Sequence, residues 1–308
     1  MKIVLLDAIT FGDTDLSCFK NFGDVKVYQK TVPEETFSRI ENCDVVVTNK
    51  VVITKEMMQK CKNLKLICIS ATGMNNVDLV GAKELNIDVK NVAGYSTNSV
   101  IQHTFSMLFY LMGHSRYYDE VVKNETYSKS GVFTDVSKPF FEVKGKKWGI
   151  IGLGEIGRGV AGLATAFGAE VCYYSTSGKN KQQQYLHVEL EELLKSCDIV
   201  SVHAPLNEAT NNLLNYENLS TCKDGAVVLN LGRGGIINEE DVAKLVDEKD
   251  IYFGLDVFVK EPLPKENPLL HVENKTRLYL TPHIAWTSVE ARDKLIKSVC
   301  ENISQCQK

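Results

Sequence analysis

An apolar strand that runs directly into three spaced glycines constrains this chain more than any other feature. Residues 148 to 157 read Trp-Gly-Ile-Ile-Gly-Leu-Gly-Glu-Ile-Gly. In such a run Gly152 allows a tight turn, Gly154 lets the backbone approach a phosphate, and Gly157 lets the next helix pack close to the strand. The spacing therefore predicts a turn that binds the pyrophosphate of a dinucleotide.

The residues around the glycines favour the same structure. Ile150 and Ile151 supply a buried strand. Five apolar residues then recur at helical spacing before Gly168, namely Ile156, Val160, Leu163, Ala164 and Phe167. The amides of Glu155 and Ile156 lie at the positive end of this helix, where they can face an anion. A structural turn without a ligand is the alternative, because glycine-rich turns are common.

Composition narrows the class of protein. A chain of 308 residues, 44% hydrophobic and 24% charged, can form about two domains with large cores. The net charge of -4 argues against a nucleic-acid binder, which needs an excess of positive charge. The most apolar helical stretch, residues 104–112, is too short to span a bilayer and predicts a buried helix.

The cysteines and the amino terminus exclude further classes. The nine cysteines contain no Cys-x-x-Cys pair, and no histidine stands at metal-ligand spacing, so we expect no metal site. An odd, unpatterned set of cysteines fits a reducing cytoplasm. The first seven residues contain an apolar run of four, which predicts a strand and is too short for a signal peptide.

Short apolar strands alternate with helical segments along the chain, which predicts parallel sheets with helices on both faces. The predicted strands are 3–6, 25–28, 45–48, 66–70, 87–89, one that opens at Lys147, 171–175, 199–203, 227–231, 252–256 and 278–281. The predicted helices include 99–122, 188–195 and 239–247. The tail places Val289, Ile296, Val299 and Ile303 on one helical face, which either domain could bury.

Four polar clusters follow strands in the second half of the chain, at the position where open α/β sheets bind their ligands. They are His203-Ala204-Pro205, Asn230 to Gly235, Asp256 with Glu261, and Thr281-Pro282-His283. An arginine, a glutamate and a histidine at one sheet edge, beside a dinucleotide site, predict hydride transfer to a carbonyl that carries a carboxylate.

Each of these side chains has a specific use in that chemistry. Arg233 can bind a carboxylate and a carbonyl oxygen together. His283 can supply a proton near neutral pH, and Glu261 can fix its tautomer and favour its protonated form. The alternatives are a solvated loop acid for Glu261, a packed or backbone-bonded imidazole for His203, and a simple strand end for Asp256.

Four runs in order resemble the D-isomer-specific 2-hydroxyacid dehydrogenases over essentially the whole chain. They are Trp148 to Gly157, Asn230 to Gly234, Gly254 to Pro264, and Thr281 to Trp286. The branch most similar is that of glycerate dehydrogenase, also called hydroxypyruvate reductase. That similarity is carried by Tyr95-Ser96-Thr97, Ser99-Val100, Gln102-His103-Thr104-Phe105, and Trp286 after the histidine.

The resemblance implies a fold and an assembly. The fold class is α/β, with two doubly wound parallel-sheet (Rossmann-like) domains and the active-site cleft between them. The substrate-binding domain is discontinuous, residues 1–99 and 287–308, and the dinucleotide-binding domain covers residues 100–286. Members are usually homodimers built through the nucleotide domains.

The resemblance also implies roles for single residues. Arg233, Glu261 and His283 match the catalytic residues, and Thr72-Gly73-Met74 matches the loop whose amides hold the substrate carboxylate. The positions that match cofactor contacts are the glycine turn with Glu155 and Ile156 (pyrophosphate), Ala204, Pro205 and Thr210 (adenine and ribose), and Leu231, Gly232, Arg233, Asp256 and His283 (nicotinamide).

One departure concerns the choice between NAD and NADP. Family members commonly have an aspartate at the end of the second Rossmann strand, where it binds the ribose and repels a 2′-phosphate. Here the chain reads Tyr174-Ser175-Thr176-Ser177, followed by Lys179 and Lys181. We therefore expect NAD or NADP to be accepted, although the lysines could simply be solvated.

The activity expected is NAD(P)-dependent reduction of a small 2-oxo acid, hydroxypyruvate or glyoxylate, to its D-2-hydroxy acid in the cytoplasm. The alternatives are a phosphoglycerate or D-lactate-type dehydrogenase, or a nucleotide-sensing interaction module like the corepressors related to this family. The expected partner is a small-molecule substrate, with no nucleic acid and no membrane.

Overall fold

Two compact units make up the chain in the computed structural model, which describes residues 1–181 and 183–306. The first unit comprises residues 1–96 and 286–308, and the second comprises residues 97–285. The boundaries expected from sequence were at 99/100 and 286/287.

The first unit is a parallel sheet covered on both faces. Its strands are β1 (Lys2–Leu5), β2 (Asp24–Val27), β3 (Val45–Thr48), β4 (Leu66–Ile69) and β5 (Asp88–Lys90), in the order β2-β1-β3-β4-β5. Its helices are α1 (Pro33–Ile40), α2 (Lys55–Lys60), α3 (Leu79–Glu84) and the terminal helix Val289–Cys306. All four residues of β3 are buried, as expected for a strand with apolar layers on both sides.

The terminal helix belongs to this first unit, which the sequence pattern left open. Leu295, Val299 and Ile303 are fully buried in one apolar layer with Ile3 and Val45. Val289, placed on the same face from its spacing, is 56% exposed because it stands at the first turn of the helix.

The second unit is a larger parallel sheet whose central strand carries the glycine turn. Its strands are β6 (Lys147–Ile151), β7 (Glu170–Tyr174), β8 (Leu186–His187), β9 (Ile199–Val202), β10 (Ala226–Asn230), β11 (Ile251–Leu255) and β12 (Leu278–Leu280), in the order β12-β11-β10-β9-β6-β7-β8. Its helices are α4 (Thr97–Met112), α5 (Ser115–Lys123), α6 (Thr126–Ser130), α7 (Glu155–Ala166), α8 (Leu190–Ser196), α9 (Tyr216–Leu219) and α10 (Glu239–Glu248). These two sheets confirm the predicted α/β class.

The single helix predicted over residues 99–122 is wrong. The chain forms α4 and α5, separated by Gly113 and His114, and His114 has a φ of 48°. The apolar periodicity continues through both helices, so it carries no signal of the break. Gly113 was the available signal, since a glycine commonly ends a helix where the backbone turns left-handed.

Apolar side chains pack on both faces of this sheet. Trp148 is fully buried and donates from Nε1 to Ser201 Oγ at 2.9 Å, and its ring lies 5.1 Å from that of Phe105 on α4. Leu163 and Phe167, expected on the packed face of α7, are 45% and 49% exposed. None of the described helices combines the length and apolar composition needed to cross a membrane.

Candidate active site

The glycine turn lies at the carboxyl end of β6, between the two strands that pair with β6. β9 pairs with one side of β6 and β7 with the other. The amide of His203 bonds Ile151 O at 2.8 Å, and that of Gly152 bonds Tyr174 O at 3.1 Å. In an open parallel sheet a ligand crevice forms where the strand order reverses, because the segments after two adjacent strands there run to opposite sides of the sheet. The order in this sheet reverses at β6.

The three glycines differ in what a side chain would meet. Gly152 has a φ of +92°, and an added Cβ would lie 3.0 Å from the backbone of Ala204. At Gly157 the Cβ would lie 2.3 Å from Gly152 O, which requires the helix to move away from the turn. At Gly154 it would meet nothing within 4 Å, so the backbone there borders open space. Glu155 is the first residue of α7, and Gly154 caps the helix without a side-chain hydrogen bond. This open helix end fits a pyrophosphate.

The end of β7 carries hydroxyl groups where an acid is common. Ser175 is 7% exposed, and its Oγ accepts from the amide of Asn180 at 3.4 Å. Thr176 is half-buried, and Ser177 and Lys179 are exposed. Lys181 forms an ion pair with Glu189 at 3.2 Å, whereas Lys179 forms no ion pair within the described residues and is therefore more available to a ligand.

The segment after β9 is held by its own side chains. Thr210 is fully buried and donates to Pro205 O at 2.7 Å, so its hydroxyl shapes the loop. Ala204 is buried and Pro205 is exposed. Burial lowers the pKa of His203 to about 3, so this imidazole is neutral, and its Nδ1 is buried without a partner among the described residues. An orphaned polar atom beside the glycine turn is consistent with a ligand there.

The turn after β10 presents Arg233. Asn230 is 2% exposed and bonds the turn twice, since Oδ1 accepts from Gly232 N at 3.0 Å and Nδ2 donates to Arg233 O at 2.9 Å. The Arg233 side chain is exposed and folds back onto Gly232 O at 2.8 Å. No ion pair of Arg233 with an acid occurs in the described part of the chain, so the guanidinium is available to an anionic ligand. Leu231 and Gly232 are buried.

Glu261 and His283 form a hydrogen-bonded pair. The distance from Glu261 Oε2 to His283 Nδ1 is 2.7 Å, and Glu261 Oε1 accepts from Phe258 N at 3.0 Å. An ionised carboxylate only accepts, so Nδ1 carries the proton and Nε2 is the atom left to exchange one with a ligand. The His283 side chain is 23% exposed, which leaves it reachable.

Asp256 is a buried acceptor that holds the turn containing His283. It is 1% exposed, and it accepts from Thr281 Oγ1 at 2.6 Å, Ile284 N at 2.8 Å and Ala285 N at 2.9 Å. Donors among the described residues thereby use three of the four lone-pair directions of the carboxylate, and one on Oδ2 remains. Asp256 is therefore more than the end of a strand.

Two further residues at this edge were not assigned a role from sequence. Ser99 Oγ donates to Ala285 O at 2.6 Å, and His103 Nε2 lies 3.2 Å from Thr281 Oγ1. Both stand on α4, four residues apart, and so face the same way. Two polar residues four apart on an otherwise apolar helix were the sequence feature that could have indicated these contacts.

The loop 72–74 lies in the first unit, at the carboxyl end of β4. Thr72 Oγ1 donates to Val92 O at 3.2 Å, and Asn91 Nδ2 donates to Thr72 O at 2.7 Å, so the loop is anchored at Thr72. The amides of Gly73 and Met74 donate no hydrogen bond within the described residues. Also within those residues, no group of three or more His, Cys, Asp or Glu side chains could hold a metal ion.

Comparison with known proteins places this chain in a family. The model of the D-isomer specific 2-hydroxyacid dehydrogenase NAD binding domain matches residues 105–285. The chain is 35% identical to the hydroxypyruvate reductase of Blautia hydrogenotrophica, covering 99% of this chain and 96% of the relative. It is 31% identical to the glycerate dehydrogenase of Methylorubrum extorquens, covering 98% and 95%. An acyclic imino acid reductase solved with NADPH and D-Arg has a TM-score of 0.86 and 30% identity, covering 99% of this chain and 96% of that one.

The chain therefore belongs to the D-isomer specific 2-hydroxyacid dehydrogenase family, as the sequence motifs predicted. It is a nicotinamide-dependent oxidoreductase that interconverts a 2-oxo acid and a 2-hydroxy acid, with NAD or NADP as cofactor.

The close contact at Gly157 gives a test of the glycine turn. We expect Gly157→Ala to weaken NADH binding by at least about tenfold, because the new Cβ forces α7 away from the turn and displaces the amides at its first residues. The dissociation constant is measured by nucleotide fluorescence. Gly162→Ala is the matched control, since it lies on the same helix and its Cβ would meet nothing within 4 Å. Equal affinity in Gly157→Ala and the unaltered protein would contradict this assignment.

Proposed function

We propose that this protein reduces a small 2-oxo acid, hydroxypyruvate or glyoxylate, to the D-2-hydroxy acid. The observation that carries the proposal is the 2.7 Å hydrogen bond between Glu261 and His283, on the same sheet edge as the exposed Arg233 and the glycine turn. The names of the two relatives, hydroxypyruvate reductase and glycerate dehydrogenase, support this substrate class.

The catalytic roles follow from the atoms available. When bound, a reduced nicotinamide supplies the hydride that is added to C2 of the substrate. Arg233 binds the substrate through two parallel N–H groups, and its charge opposes the negative charge that develops on the carbonyl oxygen. His283 donates the proton from Nε2 to that oxygen, while Glu261 holds Nδ1 and stabilises the protonated imidazole.

We assign the cofactor to the edge of the second unit. Gly152, Gly154, Glu155, Ile156 and Gly157 would bind the pyrophosphate, and Ser175, Thr176, Ser177 and Lys179 would lie at the adenosine ribose. Ala204, Pro205 and Thr210 would shape the adenine side, and Leu231, Gly232, Arg233, Asp256 and His283 the nicotinamide side. The unused lone pair of Asp256 Oδ2 suits the carboxamide N–H of a nicotinamide.

We assign the substrate carboxylate to the loop Thr72-Gly73-Met74, because the amides of Gly73 and Met74 have no acceptor among the described residues. The first unit is then the substrate-binding domain and the second the dinucleotide-binding domain.

The assembly and location are part of the same proposal. Phe133, Phe140 and Phe141 are 89%, 65% and 62% exposed on the second unit, and such apolar surface suits a homodimer. A single monomeric species in sedimentation at micromolar concentration would contradict the dimer. The odd, unpatterned cysteines favour the cytoplasm, which cell fractionation would test.

A panel of 2-oxo acids with both cofactors tests the proposed activity. We expect hydroxypyruvate and glyoxylate to give the highest kcat/KM, measured by the loss of absorbance of NADH or NADPH. Higher kcat/KM with pyruvate or with a phosphorylated 2-oxo acid would contradict the proposed substrate class.

Arg233 should not be replaceable by lysine. A single ammonium cannot form two parallel bonds to the substrate, so we expect Arg233→Lys to lower kcat/KM at least about a hundredfold, or roughly 2.7 kcal/mol of transition-state binding. Steady-state kinetics check the value. Near-normal kinetics in this variant would remove Arg233 from the active site.

His283 and Glu261 should act as a unit. We expect Glu261→Gln to cost little in a protein that already carries His283→Ala, because the role of Glu261 is to orient and charge that imidazole. Fully additive losses in a double-mutant cycle would leave Glu261 as a solvated loop acid.

The neutral Ser175 should allow both cofactors. We expect kcat/KM with NADPH to be comparable to that with NADH, and Ser175→Asp to lower the NADPH value at least about thirtyfold by repelling the 2′-phosphate. Ser220→Asp, elsewhere on the second unit, is the control for added charge. If the unaltered enzyme already rejects NADPH by about a thousandfold, or over about 4 kcal/mol, another residue sets the selectivity.

A further inference from the structure

Three polar side chains form a continuous chain of contacts beside the turn that carries His283. Thr281 Oγ1 lies 2.6 Å from Asp256 Oδ1 and 3.2 Å from His103 Nε2. Asp256 is 1% exposed and Thr281 is 5% exposed, and 15% of the His103 side chain is exposed. Buried polar groups of this kind are costly unless each proton has an acceptor.

The position of each proton in this series of hydrogen bonds follows by elimination. The Asp256 carboxylate only accepts, so the Thr281 hydroxyl donates its single proton to Oδ1. Thr281 Oγ1 can then only accept from His103, which must carry a proton on Nε2. Burial lowers the pKa of His103, although the nearby Asp256 opposes that shift, so the imidazole is neutral near pH 7. The direction of donation is therefore from His103 to Thr281 to Asp256.

The same carboxylate fixes the backbone on the other side of His283. It accepts from the amides of Ile284 and Ala285, and Ser99 on α4 donates to Ala285 O. His283 itself has a φ of 54°, a left-handed conformation that a residue with a side chain adopts only where its surroundings impose it. The contacts on both sides of the turn supply that restraint.

We propose that Thr281 is a positioning residue for His283, and that donation from His103 through Thr281 to Asp256 holds the imidazole of His283 where it transfers its proton. This inference rests on the acid–base role of His283 in the proposed function. Thr281 and His103 act through the turn and do not touch the reacting atoms. A displacement of about 1 Å at a catalytic group can lower a rate about a hundredfold, so the loss of one bond in this chain is measurable.

Thr281→Val removes the hydroxyl and keeps the shape of the side chain. We expect kcat for reduction to fall at least about tenfold, with KM for the 2-oxo acid changed by less than about threefold. The solvent deuterium isotope effect on kcat should increase, because proton transfer becomes slower. Thr281→Ser should restore kcat to within about threefold of the unaltered value, since it returns the hydroxyl.

Thr104→Val is the matched control for the loss of a buried hydroxyl. Thr104 is fully buried on α4, and its Oγ1 donates to Val100 O of the same helix at 2.8 Å. We expect this variant to retain kcat and the isotope effect. Thermal melting of each variant reports the folded fraction.

A second substitution tests the series of hydrogen bonds from His103 through Thr281 to Asp256. His103→Leu removes the Nε2 donor, and in the Thr281→Val background it should cause little further loss of kcat, because the accepting hydroxyl is already absent. Losses that multiply in the double variant would overturn the proposed chain. An unchanged kcat in Thr281→Val, or a lower kcat explained by less folded protein with an unchanged isotope effect, would overturn the positioning role.

His283→Ala separates this inference from the proposed function. Full turnover in His283→Ala would reject the acid–base role and with it the basis of the inference. Loss of turnover in His283→Ala together with normal behaviour of Thr281→Val would reject the positioning role alone.

Discussion

The hydrogen bonds of the buried Asp256 carboxylate are the interactions on which the candidate active-site edge of the second unit depends. Asp256 follows β11, and its own amide bonds the carbonyl oxygen of Asn230, the last residue of β10, at 3.1 Å. Its carboxylate oxygens accept from residues 281, 284 and 285 after β12. The amide of Thr281 adds one further bond to the neighbouring strand, to Leu255 O of β11 at 3.0 Å. Asp256 thus bonds the turn on both sides of His283, and Glu261 bonds the imidazole of His283 itself.

Parallel strands bring the remaining groups to the same edge. Each of four groups comes just after a strand of this parallel sheet: the glycine turn, Arg233, Asp256 and His283. They therefore lie at the same edge of the sheet, although they are far apart in the sequence. Charge is distributed in a way that suits an anionic substrate. Arg233 has no acid partner among the described residues, while the carboxylates of Asp256 and Glu261 each accept hydrogen bonds from within the protein.

The sequence predicted the strands and the polar residues that follow them because burial and turn chemistry act locally. The Glu261–His283 contact is the one expected from the motifs, because Glu261 follows β11, His283 follows β12, and these two strands are adjacent. Contacts that depend on tertiary packing were not accessible in the same way. The bond from His103 to Thr281 joins residues 178 apart, and the pairing of Lys181 with Glu189 depends on the path of a loop. The break between α4 and α5 was missed because the apolar periodicity continues across it.

Transfer of deuterium from cofactor to product tests the central claim most directly. Hydroxypyruvate would be incubated with NADH that carries deuterium at both C4 positions, and the product examined by NMR and chiral chromatography. The account predicts D-glycerate with one deuterium on C2, because hydride adds there while His283 supplies the oxygen-bound proton. Product of the L configuration, or product without deuterium at C2, would contradict it.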